Sequence, residues 1–348
     1  MKIHRRSKLK ILKLLVLIVG ITGILALISN IFPGKNQGNR NLTIISSDQL
    51  KKMDFKEAIK LEENASFEKY ILTFEKEVSK FDGTNYSTGY KVTIPSSKLQ
   101  GVELSKDTPY GFNTDVEIIN DGSGLQVVIP TTFDENILYQ NPIDKREIII
   151  LIAKSDDPYT HSVTLDPGHG GIDIGTSYGN FYEKDITLKI ASYMKMDLIY
   201  NGNKVVMTRE DDNVTLGERE WLAQITKVAN TEKTDILVSV HINSFTTPEP
   251  EGIITYYYTV GHEEQAAERE ALATAIQKNV VSTDGWKDNG IRTENFQVLR
   301  DSTMPSVLVE AGYISNSADR ARLQKEEVLI NIADSINKGI MEYLNSKE

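Results

Sequence analysis

The chain contains no cysteine. Disulfide scaffolds, thiolate metal sites and cysteine nucleophiles are therefore excluded, and any bound metal must be held by His, Asp or Glu. Histidine is itself scarce, with five in 348 residues. The first 40 residues lack acid altogether, yet hold Lys2, Arg5, Arg6, Lys8, Lys10, Lys13, Lys35 and Arg40. The whole chain has a net charge of −10, so the remainder is more acidic still. An acidic body argues against a nucleic-acid partner, which needs a basic footprint. It is consistent with plain solubility.

Long uncharged apolar runs are also rare, and the clearest is Leu14–Phe32, LLVLIVGITGILALISNIF. At 1.5 Å per residue it spans about 28 Å, close to the hydrocarbon thickness of a bilayer. The basic cluster before it orients residues 1–13 towards the cytoplasm and the rest outwards. Residues 14–32 are thus expected to be a single-pass membrane anchor with an extracytoplasmic body. A cleaved signal peptide is the alternative, against which Ile31-Phe32-Pro33 is a poor cleavage context. A buried core helix fits the basic flank least well. Residues 33–43, rich in Gly, Asn and Pro, read as an exit linker.

Residues 44–153 read as a small β-rich module. Tyr70–Phe74 and Tyr90–Ile94 alternate partly, and Glu147–Ala153 ends the region on the apolar strand EIIILIA. Val116–Ile119 and Leu125–Ile129 flank an Asn/Asp/Gly turn, which is a hairpin signal. A short helix is predicted around Ser47–Leu61. The module resembles, in position and strand content, the AMIN β-sandwich that precedes catalytic domains in some secreted amidases. A wall- or protein-binding module and a plain spacer both fit it. Residues 154–159 read as a second linker.

From residue 160 to 348, strands alternate with helices. Strands are predicted at Ser162–Leu165, Lys204–Met207, Ile236–Val240, Gly252–Tyr258 and Ser306–Val309. Helices are predicted at Asp185–Tyr200, Thr215–Val228, Glu263–Val281, Ala318–Leu323 and Glu327–Leu344. This is an α/β pattern, a central mixed sheet flanked by helices. Ligands in such folds collect at the carboxyl ends of strands. Three polar runs fall there: Asp166-Pro167-Gly168-His169-Gly170-Gly171, His241-Ile242-Asn243-Ser244, and Glu310-Ala311-Gly312. Glu183 opens the first long helix.

Two histidines and a glutamate are a common ligand set for a catalytic zinc, which keeps its fourth position open for water. His169, Glu183 and His241 fit as ligands, with Glu310 as the base that takes a proton and later returns one. Glycines beside His169 permit a tight turn. A histidine after a strand is also commonly just a packed or surface residue, so residue types alone leave that reading open. His4 falls in the segment expected to be cytoplasmic, and His161 and His262 are expected to be solvated.

The same segment resembles the zinc-dependent N-acetylmuramoyl-L-alanine amidases of the type-3 class, from about Val163 to Tyr343. The resemblance is carried by DPGHGG (Asp166–Gly171), Glu183-Lys184, Thr208-Arg209, SVHINS (Ser239–Ser244), FQVLR (Phe296–Arg300) and MPSVLVEAGYISN (Met304–Asn316). Asp173-Ile174-Gly175 stands where the family often has Asp-Pro-Gly, and the Arg219 region departs from its usual pattern.

The resemblance implies that Zn2+ is bound by His169, Glu183 and His241 and that Glu310 is the catalytic carboxylate. The implied substrate is peptidoglycan, cut at the amide between the N-acetylmuramic acid lactyl group and L-alanine. Asp166 and Asn243 are candidates to orient the histidines. A different zinc hydrolase of the wall, a peptidase or deacetylase, would share these ligands. An inactive wall-binding relative should have lost one of the four residues, and all four are present. Segments between His241 and Glu310 are too short for an inserted plug helix. A fragment from about Tyr159 is thus expected to act as fast as the whole ectodomain.

Overall fold

The computed structural model describes residues 59–74, 76–98, 116–120 and 124–347. The basic segment, the Leu14–Phe32 anchor and the first linker lie outside the described residues. So does most of the helix predicted at Ser47–Leu61, whose last three residues belong instead to a strand. Among the described residues no helix is long and apolar enough to cross a membrane.

Among the described residues eight strands precede residue 154: β1 (Ile59–Glu63), β2 (Phe67–Thr73), β3 (Asp82–Tyr86), β4 (Gly89–Pro95), β5 (Glu117–Asn120), β6 (Gly124–Ile129), β7 (Ile137–Gln140) and β8 (Glu147–Ala153). They form two four-stranded antiparallel sheets, β1-β2-β8-β7 and β3-β4-β6-β5. The predicted hairpin is present, with Glu117–Asn120 paired to Leu125–Val128. Alternate residues of both sheets, such as Tyr70, Leu72, Val92, Ile94, Val127, Ile129, Ile148 and Ile150, share one apolar core. That is a β-sandwich.

Strand β8 explains its own unbroken IIILI run. A half-buried strand alternates, and one buried on both faces does not. Ile148, Ile150 and Ile152 face the sandwich core. Ile149 and Leu151, with Phe67 and Ile71 of β2, pack outward against Ile199, Met196 and Tyr200. Those three belong to the first helix of the following half. Asn64 Nδ2 donates to Tyr200 O at 2.6 Å, and the Phe67 and Tyr159 rings lie 5.9 Å apart. The sandwich is thus docked on the α/β half by apolar burial.

That half runs β9 (His161–Pro167), β10 (Ser177–Tyr178), β11 (Phe181–Tyr182), α1 (Glu183–Tyr200), β12 (Asn203–Met207), α2 (Glu218–Glu232), β13 (Ile236–Asn243), β14 (Ile253–Tyr257), α3 (Ala266–Val280), β15 (Asp288–Thr293), α4 (Gln297–Arg300), β16 (Ser306–Tyr313), α5 (Ser317–Leu323) and α6 (Glu326–Asn345). The six-stranded sheet has the order β12-β9-β13-β16-β14-β15. The first four strands are parallel, and β14 runs antiparallel to β16. The edge strand β15 and the β10–β11 hairpin are additions to the predicted elements. Strands β10 and β11 have two residues each and β15, DNGIRT, holds one apolar side chain, so none carries an apolar period.

Side chains alternate between the faces of a sheet. Val163, Leu165, Val238, Val240, Val307 and Val309 point to one face, where they join α1, α3 and α6 in the main core. The opposite face takes the intervening residues: Thr164 and Asp166 of β9, Ser239 and His241 of β13, and Leu308 and Glu310 of β16. Strands β13 and β16 extend past the predicted ends, because His241 is the register partner of Glu310. Between these two residues α3 packs on β14 and α6, and α4 packs on β16 and α2. The helix α4 in that interval was not expected from the sequence.

The docked sandwich makes a stability prediction. Ile199 is buried, at 6% exposed. Ile199→Ala should destabilise the chain that includes the sandwich by about 2–4 kcal/mol, the usual range for truncating a buried isoleucine. In a fragment beginning at Tyr159 the same substitution should cost under about 1 kcal/mol. Denaturant melts of the four proteins check this; equal losses in both backgrounds would show that the interface is not formed.

Candidate metal centre

The run Asp166–Gly171 leaves β9 through a turn in which His169 has φ 64°. Positive φ is unusual for a residue with a Cβ and marks a conformation held by its surroundings. Those surroundings are visible. The buried Arg209 guanidinium donates to Pro167 O (2.9 Å), Gly168 O (3.1 Å) and Lys184 O (2.8 Å). Lys184 Nζ donates to Gly171 O (2.8 Å) and pairs with Asp212 (2.6 Å), which in turn accepts from Gly171 N. Thr208-Arg209 and Glu183-Lys184 are therefore the clamp on the histidine turn. Gly168 and Gly175 are needed for space: a Cβ on Gly168 would strike the His241 ring, and one on Gly175 would strike Glu183 and His169.

Three ligand atoms converge. His169 Nε2 lies 3.2 Å from Glu183 Oε2, and His241 Nδ1 lies 3.0 Å from Glu183 Oε1. One donor atom from each of the three residues falls within 4.8 Å of the others. Ligands about 2.0–2.1 Å from a tetrahedral zinc are about 3.3 Å apart, so the donor set fits such an ion. Glu183 starts α1, where the helix dipole favours negative charge. Its Oε1 also accepts from Ile242 N (2.9 Å) and its Oε2 from Thr176 N (2.8 Å).

Electrostatics agrees with a cation site. Burial opposes ionisation of Glu183, but its contacts with His169 and His241 outweigh that and hold the carboxyl well below the usual range. Burial likewise opposes charging of His169, yet Glu183 and Asp173 push its pKa up to about 9. The same balance raises His241, with Glu310 assisting Glu183. The negative field that favours protons on these imidazoles equally favours a metal ion.

Glu310 joins them as the register partner of His241 but makes no side-chain ligand contact of its own. Its Oε2 is buried and without a hydrogen-bond partner. Burial pushes its carboxyl up to about 7, against the opposing pull of His241. A carboxyl poised near neutrality can both take and return a proton.

Four of the predicted site residues thus come together, and two predicted helpers do not. Asp166 is buried, but it accepts from Thr208 Oγ1 (2.7 Å) and Ser239 Oγ (2.6 Å), tying three strands beneath the site. Asn243 Oδ1 accepts from Ser244 N. The residue that orients His169 is Asp173, whose Oδ2 lies 2.8 Å from His169 Nδ1. The signal was its position four residues after the histidine, within a loop closed by reciprocal bonds between Gly170 and Asp173. His262, expected to be solvated, is half-buried, with Nε2 2.8 Å from Arg300 O.

A sheet that presents two histidines and a glutamate beside a carboxylate with one buried, unpartnered oxygen is suited to metal-dependent hydrolysis. Comparison with known proteins specifies the class. The sequence pattern of the family described as N-acetylmuramoyl-L-alanine amidase (Amidase_3) matches residues 163–342. The chain is 33% identical over 183 residues to the N-acetylmuramoyl-L-alanine amidase LytC of Bacillus subtilis, a match covering 52% of this chain and 35% of LytC. It is 31% identical over 195 residues to the germination-specific N-acetylmuramoyl-L-alanine amidase of the same organism, covering 53% and 80%. The crystal structure of an N-acetylmuramoyl-L-alanine amidase from Clostridium difficile 630 aligns with a TM-score of 0.50 and 33% identity, over 54% of this chain and 98% of that one. The chain belongs to this amidase family and is a peptidoglycan amidase.

Because Asp173 fixes the His169 ring, Asp173→Ala should weaken zinc affinity by about 10–100-fold, the usual effect of losing a group that orients a ligand. Competition titration against a zinc chelator measures it. Unchanged affinity would mean that His169 is held by its backbone turn alone.

Proposed function

We propose that the chain is a zinc enzyme, with the ion held by His169, Glu183 and His241, and that Glu310 carries the protons of amide hydrolysis. The observation that carries this reading is the buried, unpartnered Glu310 oxygen beside a three-ligand cluster. Zinc bound there supplies a Lewis acid for the scissile carbonyl and lowers the pKa of water towards ~7.

The chain's own groups do the rest. Glu310 takes a proton from the attacking water, and its burial keeps the proton available for return. It then delivers that proton to the alanine nitrogen as the C–N bond breaks. The products are a lactyl carboxylate on the muramic acid and a free amine on the stem peptide. Asp173 and the Arg209–Lys184 clamp hold the His169 turn still while this happens.

Residues 14–32 are assigned as an uncleaved membrane anchor, on the strength of their length, apolarity and basic flank. The β-sandwich, which follows the anchor in sequence, would then serve as a wall- or protein-contacting module. Protease added to intact cells should remove the catalytic half while leaving the first residues membrane-bound. Recovery of the full chain in the soluble cytoplasmic fraction would contradict the anchor.

Digestion of purified muropeptides tests the reaction. Mass spectrometry should find new L-alanine amino termini and intact glycan; new reducing ends or shortened peptides would contradict it. Two variants separate binding from chemistry. His169→Ala should lose zinc and turnover together. Glu310→Gln should keep one zinc per chain while turnover falls ~10²-fold or more, the usual worth of a positioned acid–base group. Turnover near normal in that variant would show that another residue moves the proton.

A further inference from the structure

Of the eight described arginines, six have engaged guanidinium groups: Arg146, Arg209, Arg269, Arg300, Arg320 and Arg322. Arg219 and Arg292 make no ion pair or side-chain hydrogen bond to any described residue. Arg219 lies exposed on the first turn of α2. Arg292 is in β15, on the catalytic side of the sheet. Its register partner is Tyr256 of β14, whose partner on β16 is Leu308. Leu308 and Glu310, two apart on one strand, share a face. Arg292 therefore stands on the face that carries Glu310, two strands across and two residues back. With strands about 4.8 Å apart and a rise of about 3.3 Å, the two Cα atoms are about 12 Å apart.

The ground between them is built of aromatic rings. Tyr256 packs edge-on against Phe296, with ring centroids 5.2 Å apart. The hydroxyls of Tyr256 and Tyr313 are raised first by burial. Both also feel the Glu310 charge, which raises them, and the Arg292 charge, which lowers them. The Arg292 and Glu310 charges thus act on the same two tyrosines from opposite sides of the balance. Glu294, two residues on, makes no ion pair with it; its Oε1 accepts from Asn295 N at 3.0 Å. An exposed arginine whose donors no residue of the chain takes up, on the same sheet face as the reaction centre, has the fork geometry that receives a carboxylate.

The substrate supplies one carboxylate at a suitable place. The lactyl side of the scissile amide is an uncharged sugar, whereas the second stem residue is a γ-linked glutamate whose α-carboxyl is free or amidated. Its carboxyl carbon lies at most about 7 Å from the scissile nitrogen. We propose that Arg292 is a substrate-binding residue that pairs with this α-carboxylate and makes the enzyme select the free acid over the carboxamide. The proposal rests on the reading of Glu310 as the reaction centre.

Two soluble muropeptides that differ only in that group, acid or carboxamide, test it. The parent chain should show a kcat/KM ratio of acid over amide of about tenfold or more, the usual worth of a charge-assisted pair. Arg292→Gln should bring the ratio near one, chiefly through KM on the acid, and Arg292→Lys should keep part of it. Each ratio is measured within one preparation, so a partly folded variant does not distort it. A parent ratio near or below one, or a ratio unchanged by Arg292→Gln, would overturn the proposal. Failure of the Glu310 reading would show separately, as turnover that survives Glu310→Gln with the parent's selectivity intact.

Discussion

The Glu183 carboxylate is 3% exposed and sits between two imidazoles. A buried carboxylate without positive partners costs several kcal/mol. The catalytic half is organised around meeting that cost. Two backbone N–H groups, from Thr176 and Ile242, point at it, and the helix dipole of α1 adds to them. The histidines then need fixed orientations, and that requirement propagates outward. Asp173 holds His169, the Arg209–Lys184 clamp holds the turn bearing His169, and the Asp166 bonds to Thr208 and Ser239 hold the strands beneath.

Strand pairing supplies the other half of the arrangement. Because β13 and β16 are parallel and in register at His241 and Glu310, a candidate ligand and a free carboxylate become neighbours without sharing a loop. The valines and isoleucines between them face the three-helix side, so the sheet is anchored on one face and chemically equipped on the other. The sandwich adds a second support. Its β2 and β8 cover the C-terminal end of α1, whose first residue is Glu183. The fragment expected from sequence to act alone would expose that apolar surface.

Much of this was legible in the residues. The apolar periods located α1, α3 and α6, and the polar runs at strand ends located His169, His241 and Glu310. What escaped has physical reasons. Strands β10 and β11 have only two residues each and β15 holds a single apolar side chain, so no period announces them. Asp166 and Asn243 lie within three residues of the histidines in sequence, but Asp166 is taken up by Thr208 and Ser239 and Asn243 by Ser244 N, and turn geometry gave the orienting role to Asp173. The double burial of β8 was written in its unbroken isoleucine run, yet its second partner, Ile199, is 46 residues or more away. No local pattern identifies such a partner.

The central claim is that His169, Glu183 and His241 form one metal site beside a free Glu310. An anomalous difference map at the zinc edge, from crystals of the zinc-loaded protein, tests it most directly. The account predicts a single strong peak among the three side chains, with the Glu310 carboxylate beside it but not among its ligands from the chain. No peak there, or a peak that Glu310 ligates in place of Glu183, would contradict it.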